Sequence, residues 1–539
     1  MSDAVAAEPV AHELTIDPKR DRLVIFASTL GTIFEWYDFF IYGTLATVIG
    51  QQFFPSSNPT AALLLVLATF GAGFGVRPLG AILFGILGDR LGRKYTFLVT
   101  ITLMGLATAA VGLLPTYAQI GIAAPVLLVI CRLLQGLALG GEYGGAAIYV
   151  AEHAPRNKRG FYTSFIQAGV IGGFLLSVAV VLAANSLVDK ATWDGWAWRI
   201  PFLFSVVLLA VSLWVRLKLK ESPVFQAMKE AGTTARHPLR ESFSTWHRVK
   251  MILVVLFGIA GGLTVIWYTA QFQGLYFLQN SLRIEDNRAR LLVGVAAFFA
   301  TFAFILFGWL SDKIGRKPPI VFGYMLTIIL MFPLFHWMAS AANPELAMAM
   351  ERNPVTVQGT NCAFNPFAQG PQATPCARAV GELTKRGIAY DVLPAEGWSG
   401  DTYQVRVGPS VVSAENPAAL DGALRTAGYR LEKSVPSFGK AIQVVIAITI
   451  IGFLSGMTFG PVAALLVELF PARIRYTSLS VPYHIGTGYF GGFLPFISQY
   501  IVARTGDPFS GLWYTIGVVA MALIVTLFWL PETAGKNLD

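Results

Sequence analysis

Charged residues are scarce in this chain. Asp, Glu, Lys and Arg make up 13% of its 539 residues, whereas hydrophobic residues make up 55%. About a quarter of the residues of an ordinary soluble protein are charged, so most of this chain is not built to face water. The composition excludes an ordinary soluble protein and predicts a protein of the lipid bilayer.

Cysteine and histidine are also few, with three and six residues in the whole sequence. Neither the histidines nor the cysteines form a cluster with the spacing of metal ligands. We therefore expect no metal, no other cofactor and no enzyme activity.

The abundant hydrophobic residues are grouped in twelve long apolar runs. A helix needs roughly 20 mostly apolar residues to cross the ~30 Å hydrocarbon core of a bilayer. Such runs lie near 22–50, 61–87, 95–114, 121–151, 162–185, 196–217, 250–279, 289–310, 319–340, 441–468, 477–503 and 510–530. The first run is longer than the apolar core of a signal peptide, so we expect it to insert and remain. The sequence predicts an all-α membrane protein with twelve transmembrane helices.

Basic residues cluster at alternate ends of these runs. The clusters lie at 19–22, 90–94, 156–159, 218–250, 313–317 and 473–475. The short loops 51–60 and 115–120 contain no Lys or Arg. Because short loops rich in Lys and Arg stay in the cytoplasm, we expect both termini to be cytoplasmic. This placement, rather than nucleic-acid binding, accounts for the net charge of +9.

Two charged motifs occur twice in the chain. Gly85–Lys94 (GILGDRLGRK) returns 223 positions later as Gly308–Lys317 (GWLSDKIGRK). The pair Glu152 and Arg159 returns 316 positions later as another Glu-x6-Arg pair. The offsets differ by 93 residues, so we expect two six-helix halves with an insertion between helices nine and ten. Duplicated carriers bind their substrate near the midplane between the halves.

The repeats and the apolar runs together divide the chain. We expect a cytoplasmic tail at 1–21, six helices at 22–217, a central cytoplasmic loop at 218–249, helices seven to nine at 250–340, an insertion at 341–440, helices ten to twelve at 441–531 and a cytoplasmic tail at 532–539. By this topology the insertion lies outside the cytoplasm.

The insertion has the pattern of a small α/β domain. Its helix-like runs are Cys376–Arg386 and Pro417–Thr426, and its strand-like runs are Tyr390–Leu393 and Tyr403–Val407. Cys362 and Cys376 lie 14 positions apart within it. They either form a disulfide, as an oxidising compartment allows, or remain two unpaired thiols.

Acidic residues inside the apolar runs are candidates for function, because a charge at the bilayer centre is costly. Glu35, Asp38 and Tyr42 share one helix face at spacings of three and four. The two carboxyls, together with Glu142 in the fourth run, are candidate proton carriers. The alternative is that they form structural ion pairs with arginines.

Two arginines inside the runs are the candidate counter-charges. Arg77 lies in the second run, and Arg132 in the fourth shares a face with Gln135 and Glu142. A buried guanidinium suits a carboxylate, so Arg132 either binds an anionic substrate or pairs with Glu142. Nearby glycines at four-residue spacing predict the close approach of another helix; they are Gly136, Gly140 and Gly144.

The second half carries less charge at depth, and its candidates are mainly aromatic or amphipathic. They are Trp267, Tyr268 and Gln271 in the seventh run, and Tyr483, His484 and Thr487 in the eleventh. Their positions near mid-span favour a pocket lining, and the alternative is the interface anchoring that is typical of aromatics near span ends. His484 either takes part in proton transfer or is a packing residue. With the first half, the expected substrate site is Tyr37, Tyr42, Arg77, Arg132, Gln135, Tyr268, Gln271, Tyr483 and His484.

With its repeated loop, its Glu-x6-Arg pairs and its Pro531-Glu532-Thr533 segment, the chain resembles the major facilitator superfamily over about 22–340 and 440–536. The resemblance implies the major facilitator fold. It also implies that charged residues form bonds between the halves that hold the outward-open state and break on rocking. Those residues are Asp89, Arg93, Glu152, Arg159, Asp312, Arg316, Glu468 and Arg475.

Four further motifs resemble the metabolite:proton symporter family, which includes carriers for shikimate, 2-oxoglutarate, citrate, proline and betaine. The motifs are Glu35–Phe39, Gly140–Gly145, Trp198–Phe202 and Phe470–Tyr476. The resemblance implies uptake of a small organic acid or related metabolite across the bacterial inner membrane, by alternating access. The proton is then the coupling ion, and we expect a monomer whose partners are the substrate and the bilayer, without nucleic acid.

Two alternatives stay open. One is proton-coupled uptake of a zwitterionic osmolyte such as proline or betaine. The other is a membrane sensor that uses the carrier fold without moving a solute, and a tracer flux measurement separates it from a carrier.

Overall fold

The computed structural model describes most of the chain as helix. The described residues are 18–55, 59–91, 93–141, 143–217, 238–368, 371–396, 402–414, 416–471, 474–536 and 538. We call residues 18–217 the first half, the helices of residues 246–342 and 438–529 the second half, and residues 343–437 the insertion. The insertion side is the end of the bundle that contacts the insertion, and the motif side is the opposite end.

The first half contains eleven α-helices among the described residues. They are α1 Pro18–Thr44, α2 Ala46–Phe53, α3 Pro59–Gly75, α4 Arg77–Leu91, α5 Arg93–Leu113, α6 Tyr117–Ile120, α7 Ala123–Leu139, α8 Tyr143–His153, α9 Arg159–Ser186, α10 Lys190–Gly195 and α11 Ile200–Leu217. A short helix, α12 Pro238–Ser242, precedes the second half.

The second half begins with α13 Trp246–Leu253, α14 Gly261–Tyr268, α15 Gly274–Tyr276, α16 Asp286–Ile314 and α17 Lys317–Ala342. Three π-helical segments, Val254–Ala260, Thr269–Gln273 and Phe277–Ser281, interrupt its first long helix. After the insertion come α21 Phe438–Phe459, α22 Val462–Leu469, α23 Arg475–Gly486, α24 Leu494–Thr505 and α25 Leu512–Trp529. A fourth π segment, Thr487–Gly492, lies between α23 and α24.

Nine helical stretches in the described residues are long and apolar enough to cross a membrane. The predicted run near 95–114 corresponds to a shorter apolar helix, Leu98–Leu113. The run near 22–50 corresponds to α1 and α2, and the run near 477–503 is divided by the fourth π segment. The prediction of a mainly helical membrane protein is therefore confirmed.

The insertion folds around its own sheet, and its four predicted elements are confirmed. It contains α18 Pro344–Arg352, β1 Val355–Gly359, α19 Pro375–Lys385, β2 Asp391–Leu393, β3 Tyr403–Val407, β4 Ser410–Val412 and α20 Pro417–Thr426. The strand order is β2-β1-β3-β4. β1 runs parallel to β2 across α19, and antiparallel to β3, which pairs with β4. Cys362 and Cys376 are joined in a disulfide.

Glycine residues allow neighbouring helices to pack closely. A Cβ atom at Gly136, Gly140 or Gly144 would collide with Gly73, Arg77 or Ser480, respectively. This confirms that the glycines at four-residue spacing admit close neighbours. Between the halves, a Cβ atom at Gly308 of α16 would lie 2.5 Å from the Ser164 Cβ of α9.

We predict that Gly308→Leu destabilises the contact between the halves. The added side chain has no room against Ser164, and overpacking costs about 1–3 kcal/mol. Thermal unfolding of the purified protein, followed by tryptophan fluorescence, measures the effect. The matched control is Gly517→Leu, because no atom lies within 4 Å of a Cβ built at Gly517 in α25. Equal melting temperatures of the two variants would contradict the prediction.

Candidate functional site

The two halves meet around a small cavity of about 20 Å³, roughly the room that one water molecule needs. The first half contributes Trp36, Phe40, Arg77, Gln167 and Val170 to its wall, and the second half contributes Thr264, Trp267, Tyr268, Phe459, Tyr483 and Thr487. The wall is therefore shared almost evenly by the two halves, as expected of a site between them.

Arg77 brings the charge to this cavity. Its side chain is 1% exposed, and its Nε and Nη2 atoms have no hydrogen-bond partner among the described residues. The guanidinium lies 5.4 Å from the centre of the Trp36 ring and 5.1 Å from that of Phe74. A buried guanidinium with free donors is costly unless an anion reaches it. Arg77 can therefore receive a carboxylate.

Arg132 contacts the first half and is not among the lining residues. Its Nε and Nη2 atoms, like those of Arg77, have no hydrogen-bond partner among the described residues. Its Nη1 donates to Gln135 Oε1 at 2.6 Å and to the carbonyl of Phe39 at 3.4 Å. The guanidinium lies over the rings of Phe39 and Tyr42, at 4.2 and 4.4 Å. Gln135 in turn donates to Thr108 Oγ1 at 2.6 Å. The predicted Arg132–Gln135 face exists, and Glu142 lies outside the described residues.

The two acidic residues of α1 are buried but do not line the cavity. Glu35 is 4% exposed and Asp38 is 5% exposed. Asp38 Oδ1 has no hydrogen-bond partner among the described residues. Both groups therefore lie inside the bundle, where a change of protonation has a large energetic effect.

The hydroxyl groups of the two predicted tyrosines of α1 face other parts of the first half. Tyr37 donates to the carbonyl of Pro201 at 2.5 Å, and Tyr42 donates to that of Val66 at 3.2 Å. Neither tyrosine is among the lining residues. The structure thus excludes these two tyrosines from the cavity wall that contains Arg77. Spacing along the sequence could not distinguish lining residues from the others.

Of the second-half candidates, Tyr268 and Tyr483 line the cavity, and Gln271 and His484 do not. Trp267 and Thr487, from the same two runs, line it as well. His484 is completely buried, and neither ring nitrogen has a hydrogen-bond partner among the described residues. Sequence reasoning missed Gln167 and Thr264. Both are polar residues inside apolar runs, and this is the signal that could have identified them.

Aromatic pairs close the cavity towards both ends of the bundle. Towards the motif side, the rings of Tyr143 and Tyr483 stack across the halves with centroids 4.2 Å apart, and Gln167 donates to the Tyr143 hydroxyl at 2.6 Å. Towards the insertion side, Phe40 stacks on Trp267 at 5.0 Å. The structure is therefore occluded, with each closure formed by one ring from each half.

A charged cluster on the motif side joins the halves. Glu152 pairs with Arg475 at 3.1 Å, and Arg159 lies 3.8 Å from Glu468. Glu468 also pairs with Arg316 at 3.0 Å. Each of the first two contacts joins one residue from the first half to one from the second.

Asp312 adds a contact of a different kind. Its two carboxylate oxygens accept the backbone N–H groups of Gly160 and Phe161 at 2.8 Å each, and Oδ1 also accepts Nη1 of Arg316 at 2.7 Å. The structure thus brings together six of the eight residues expected to join the halves. The side chains of the other two, Asp89 and Arg93, lie outside the described part.

Glu532 completes this cluster after the last helix. Its carboxylate accepts the backbone N–H groups of Arg316 at 2.8 Å and Lys317 at 3.0 Å. Burial raises the pKa of Glu532, but these hydrogen bonds and those from Thr533 and Ala534 outweigh it and lower the pKa below its ordinary value.

Comparisons with known proteins agree with this arrangement. The family described as "Sugar (and other) transporter" matches residues 23–254 and 424–539. The chain is 31% identical over 543 aligned residues to the inner membrane metabolite transport protein YhjE of Escherichia coli (strain K12), covering 99% of each chain.

Two further relatives match over a shorter length. Identity is 37% over 327 residues to the glycine betaine/proline/ectoine/pipecolic acid transporter OusA of Dickeya dadantii, covering 59% of this chain. That match spans 65% of OusA, slightly less than two thirds of its length. Identity is 38% over 329 residues to the shikimate transporter of E. coli, covering 60% of this chain and 74% of that protein.

Among solved structures, the chain resembles the major facilitator superfamily proton:xylose symporter XylE bound to 6-bromo-6-deoxy-D-glucose. The TM-score is 0.61 at 16% identity, with 97% of this chain and 98% of that chain covered. At this identity the likeness shows a shared fold.

We predict that Glu532→Gln lowers the melting temperature at pH 7 by about 2 °C. The stabilisation by a carboxyl with a depressed pKa is fully present above its unfolded value, about 4.3, and is lost as pH falls through the lower folded value. The difference between variant and wild type should therefore shrink below pH 4. Glu351→Gln, at an exposed site in the insertion, is the control. A difference independent of pH would contradict the assignment.

Proposed function

The chain belongs to the sugar (and other) transporter family of the major facilitator superfamily, and from this premise we propose that it is a proton-coupled symporter. The proposed substrate is a small organic acid or related metabolite, taken up by alternating access. One observation carries the proposal: Arg77 lies buried on the cavity wall with two guanidinium nitrogens unpartnered among the described residues.

The proposed topology has twelve transmembrane helices with both termini and the motif side in the cytoplasm. The insertion then faces the periplasm of a bacterial inner membrane, where its disulfide is stable. The basic clusters at the motif side support this orientation. We propose that the carrier acts as a monomer, with the substrate and the bilayer as its partners and no bound cofactor besides the transported proton.

The substrate carboxylate would pair with Arg77. Tyr268, Tyr483 and Thr487 lie on the same wall. The two tyrosine hydroxyls would supply neutral donors for the remaining oxygens of the substrate, since Thr487 Oγ1 already donates to the carbonyl of Tyr483 at 2.8 Å. A cavity of about 20 Å³ is too small for a metabolite. The halves must therefore part to admit the substrate. Binding requires opening because the substrate is larger than the closed cavity.

The proton would be carried by Glu35, Asp38 or Glu142. The first two are buried in α1, the helix that also contributes Trp36 and Phe40 to the cavity wall. A proton bound there removes a charge from the bundle and lowers the cost of moving the site across the membrane. Protonation adds one positive charge to the site and a bound substrate anion adds one negative charge. The two charges compensate each other, which links the two events.

A second candidate substrate is a zwitterionic osmolyte. The relative named for glycine betaine, proline, ectoine and pipecolic acid points to it. The cavity wall offers Trp36, Trp267 and Tyr268, whose rings can bind a quaternary ammonium group, while Arg77 takes the carboxylate. A non-transporting sensor remains the third candidate, and the absence of tracer flux would support it.

We predict that Glu35→Gln or Asp38→Asn abolishes uptake driven by a pH gradient and preserves substrate exchange at equal pH. A neutral side chain mimics the protonated form and cannot release its proton. Proteoliposomes with an imposed pH gradient and a radiolabelled substrate measure both modes. Driven uptake at the wild-type rate in both variants would reject the role of these two acids. The control is Glu345→Gln in the insertion, whose carboxylate pairs with Arg430 at 2.5 Å.

We predict that Arg77→Gln weakens substrate binding about 100-fold, because a desolvated charged hydrogen-bond pair is worth about 3 kcal/mol. Binding is read as ligand-dependent stabilisation against a panel of shikimate, 2-oxoglutarate, citrate, proline and glycine betaine. The matched control is Arg199→Gln, because Arg199 donates to the carbonyl groups of Gly112 and Leu114, away from the cavity. Unchanged affinity in Arg77→Gln would exclude Arg77 as the anion site.

A further inference from the structure

The insertion is attached firmly to the second half. Tyr390 N–H donates to the carbonyl of Gly506 at 3.3 Å, and Ser434 N–H donates to that of Arg283 at 2.8 Å. Asn343 Nδ2 donates to the carbonyl of Leu282 at 3.0 Å. These bonds reach two separate connections of the second half, between α15 and α16 and between α24 and α25.

The disulfide-closed loop supplies a second attachment to the same half. Arg504 Nη1 donates to the carbonyl of Phe364 at 2.7 Å. The Phe367 ring lies 6.2 Å from the ring of Phe496 and 6.2 Å from that of Tyr500, both on α24. Phe364 and Phe367 belong to the segment between Cys362 and Cys376. The disulfide therefore limits the conformations of the loop that contacts α24.

The insertion also reaches the first half. Thr60 Oγ1, near the start of α3, donates to the carbonyl of Thr384 in α19 at 3.3 Å. Leu64, one turn further along α3, is completely buried and belongs to the apolar cluster of the insertion, which includes Leu383 and Val380. One element of the insertion, α19, therefore contacts the first half, whereas several segments bind the second.

These contacts place the insertion across one seam between the halves. Inside the bundle, α3 of the first half packs along α24 and the π segment Thr487–Gly492 of the second. At another part of the insertion side, Tyr276 donates to the carbonyl of Gly43 at 2.9 Å, and Arg290 donates to that of Thr44 at 3.2 Å. If α3 moves away from α24 at this end, it must also leave α19.

We propose that the insertion is a latch on the insertion side of the carrier, fixed to the second half and released from α3 each time that side opens. The proposal rests on the proposed alternating-access function. Because the Leu64 contact is buried and apolar, its loss on opening adds to the free energy of the open form. The latch therefore holds the occluded form in the absence of a driving force, and it slows opening towards the insertion side.

The first test weakens the latch and measures conformation rather than transport. Spin labels at Ala118→Cys and Gly439→Cys, both exposed, report the separation of the halves on the insertion side. Adding Thr60→Val and Leu64→Ala should increase the population with the longer distance about tenfold, because truncating a buried leucine is costly. The matched control is Leu65→Ala, the next residue of α3. A distance distribution of the double variant equal to that of the control would overturn the proposal.

The second test holds the latch closed. Thr60→Cys and Thr384→Cys are joined with a short, cleavable thiol cross-linker in the full-length protein in proteoliposomes. We expect at least a tenfold loss of pH-driven uptake on cross-linking and recovery on cleavage, while each single cysteine variant treated in the same way keeps its uptake. Uptake at the uncross-linked rate after complete cross-linking would overturn the latch.

The two tests separate the failure of the latch from the failure of the proposed function. If the wild-type protein shows no pH-driven uptake but the spin-label distances respond to Thr60→Val with Leu64→Ala, the coupling is wrong and the latch stands. If wild-type uptake is present and neither the distances nor the cross-linked rate changes, the latch is wrong and the proposed function stands.

Discussion

The carboxylate of Asp312 makes the contact on which the motif side depends. It accepts two backbone N–H groups at the start of α9, Gly160 and Phe161, and a guanidinium N–H from Arg316. The first N–H groups of a helix have no partner within it and carry a positive partial charge. Because backbone donors cannot extend towards an acceptor as a side chain does, α9 and α16 must lie close, and Gly160 and Gly308 leave the room.

The interface between the halves has charged contacts at its motif side and apolar contacts inside the bundle. The ion pairs of Glu152, Arg159 and Glu468 lie at the motif side, where water can solvate them once the halves part. The ring pairs Tyr143 with Tyr483 and Phe40 with Trp267 lie on either side of the cavity, within the bundle, where an exposed charge would be costly. An interface with mainly exchangeable contacts at its ends and mainly apolar contacts within can separate at one end and still hold at the other.

The contacts that could be predicted from the sequence are those marked by recurring motifs or by local composition. The family resemblance implied that Glu152, Arg159 and Asp312 take part in bonds between the halves, as they do. The helix-like and strand-like runs of the insertion predicted its α/β character. The cavity wall was predicted less well, because it forms where six helices with no fixed spacing converge. Tyr268 lines the cavity and Gln271 does not, although three positions apart in an α-helix they would share a face. The π segment Thr269–Gln273 begins between them and changes that spacing.

These π segments have a consequence for how related carriers diverge. Each π turn holds more residues than an α turn, so a one-residue deletion within Thr269–Gln273 would restore the α register. Because the π turn accommodates one extra residue within a single turn, the helix on either side of the deletion would keep its orientation. The residues after the deletion would face the same space as before, each at a residue number lower by one. Alignments of such carriers therefore need to compare gaps in this helix as carefully as they compare residues.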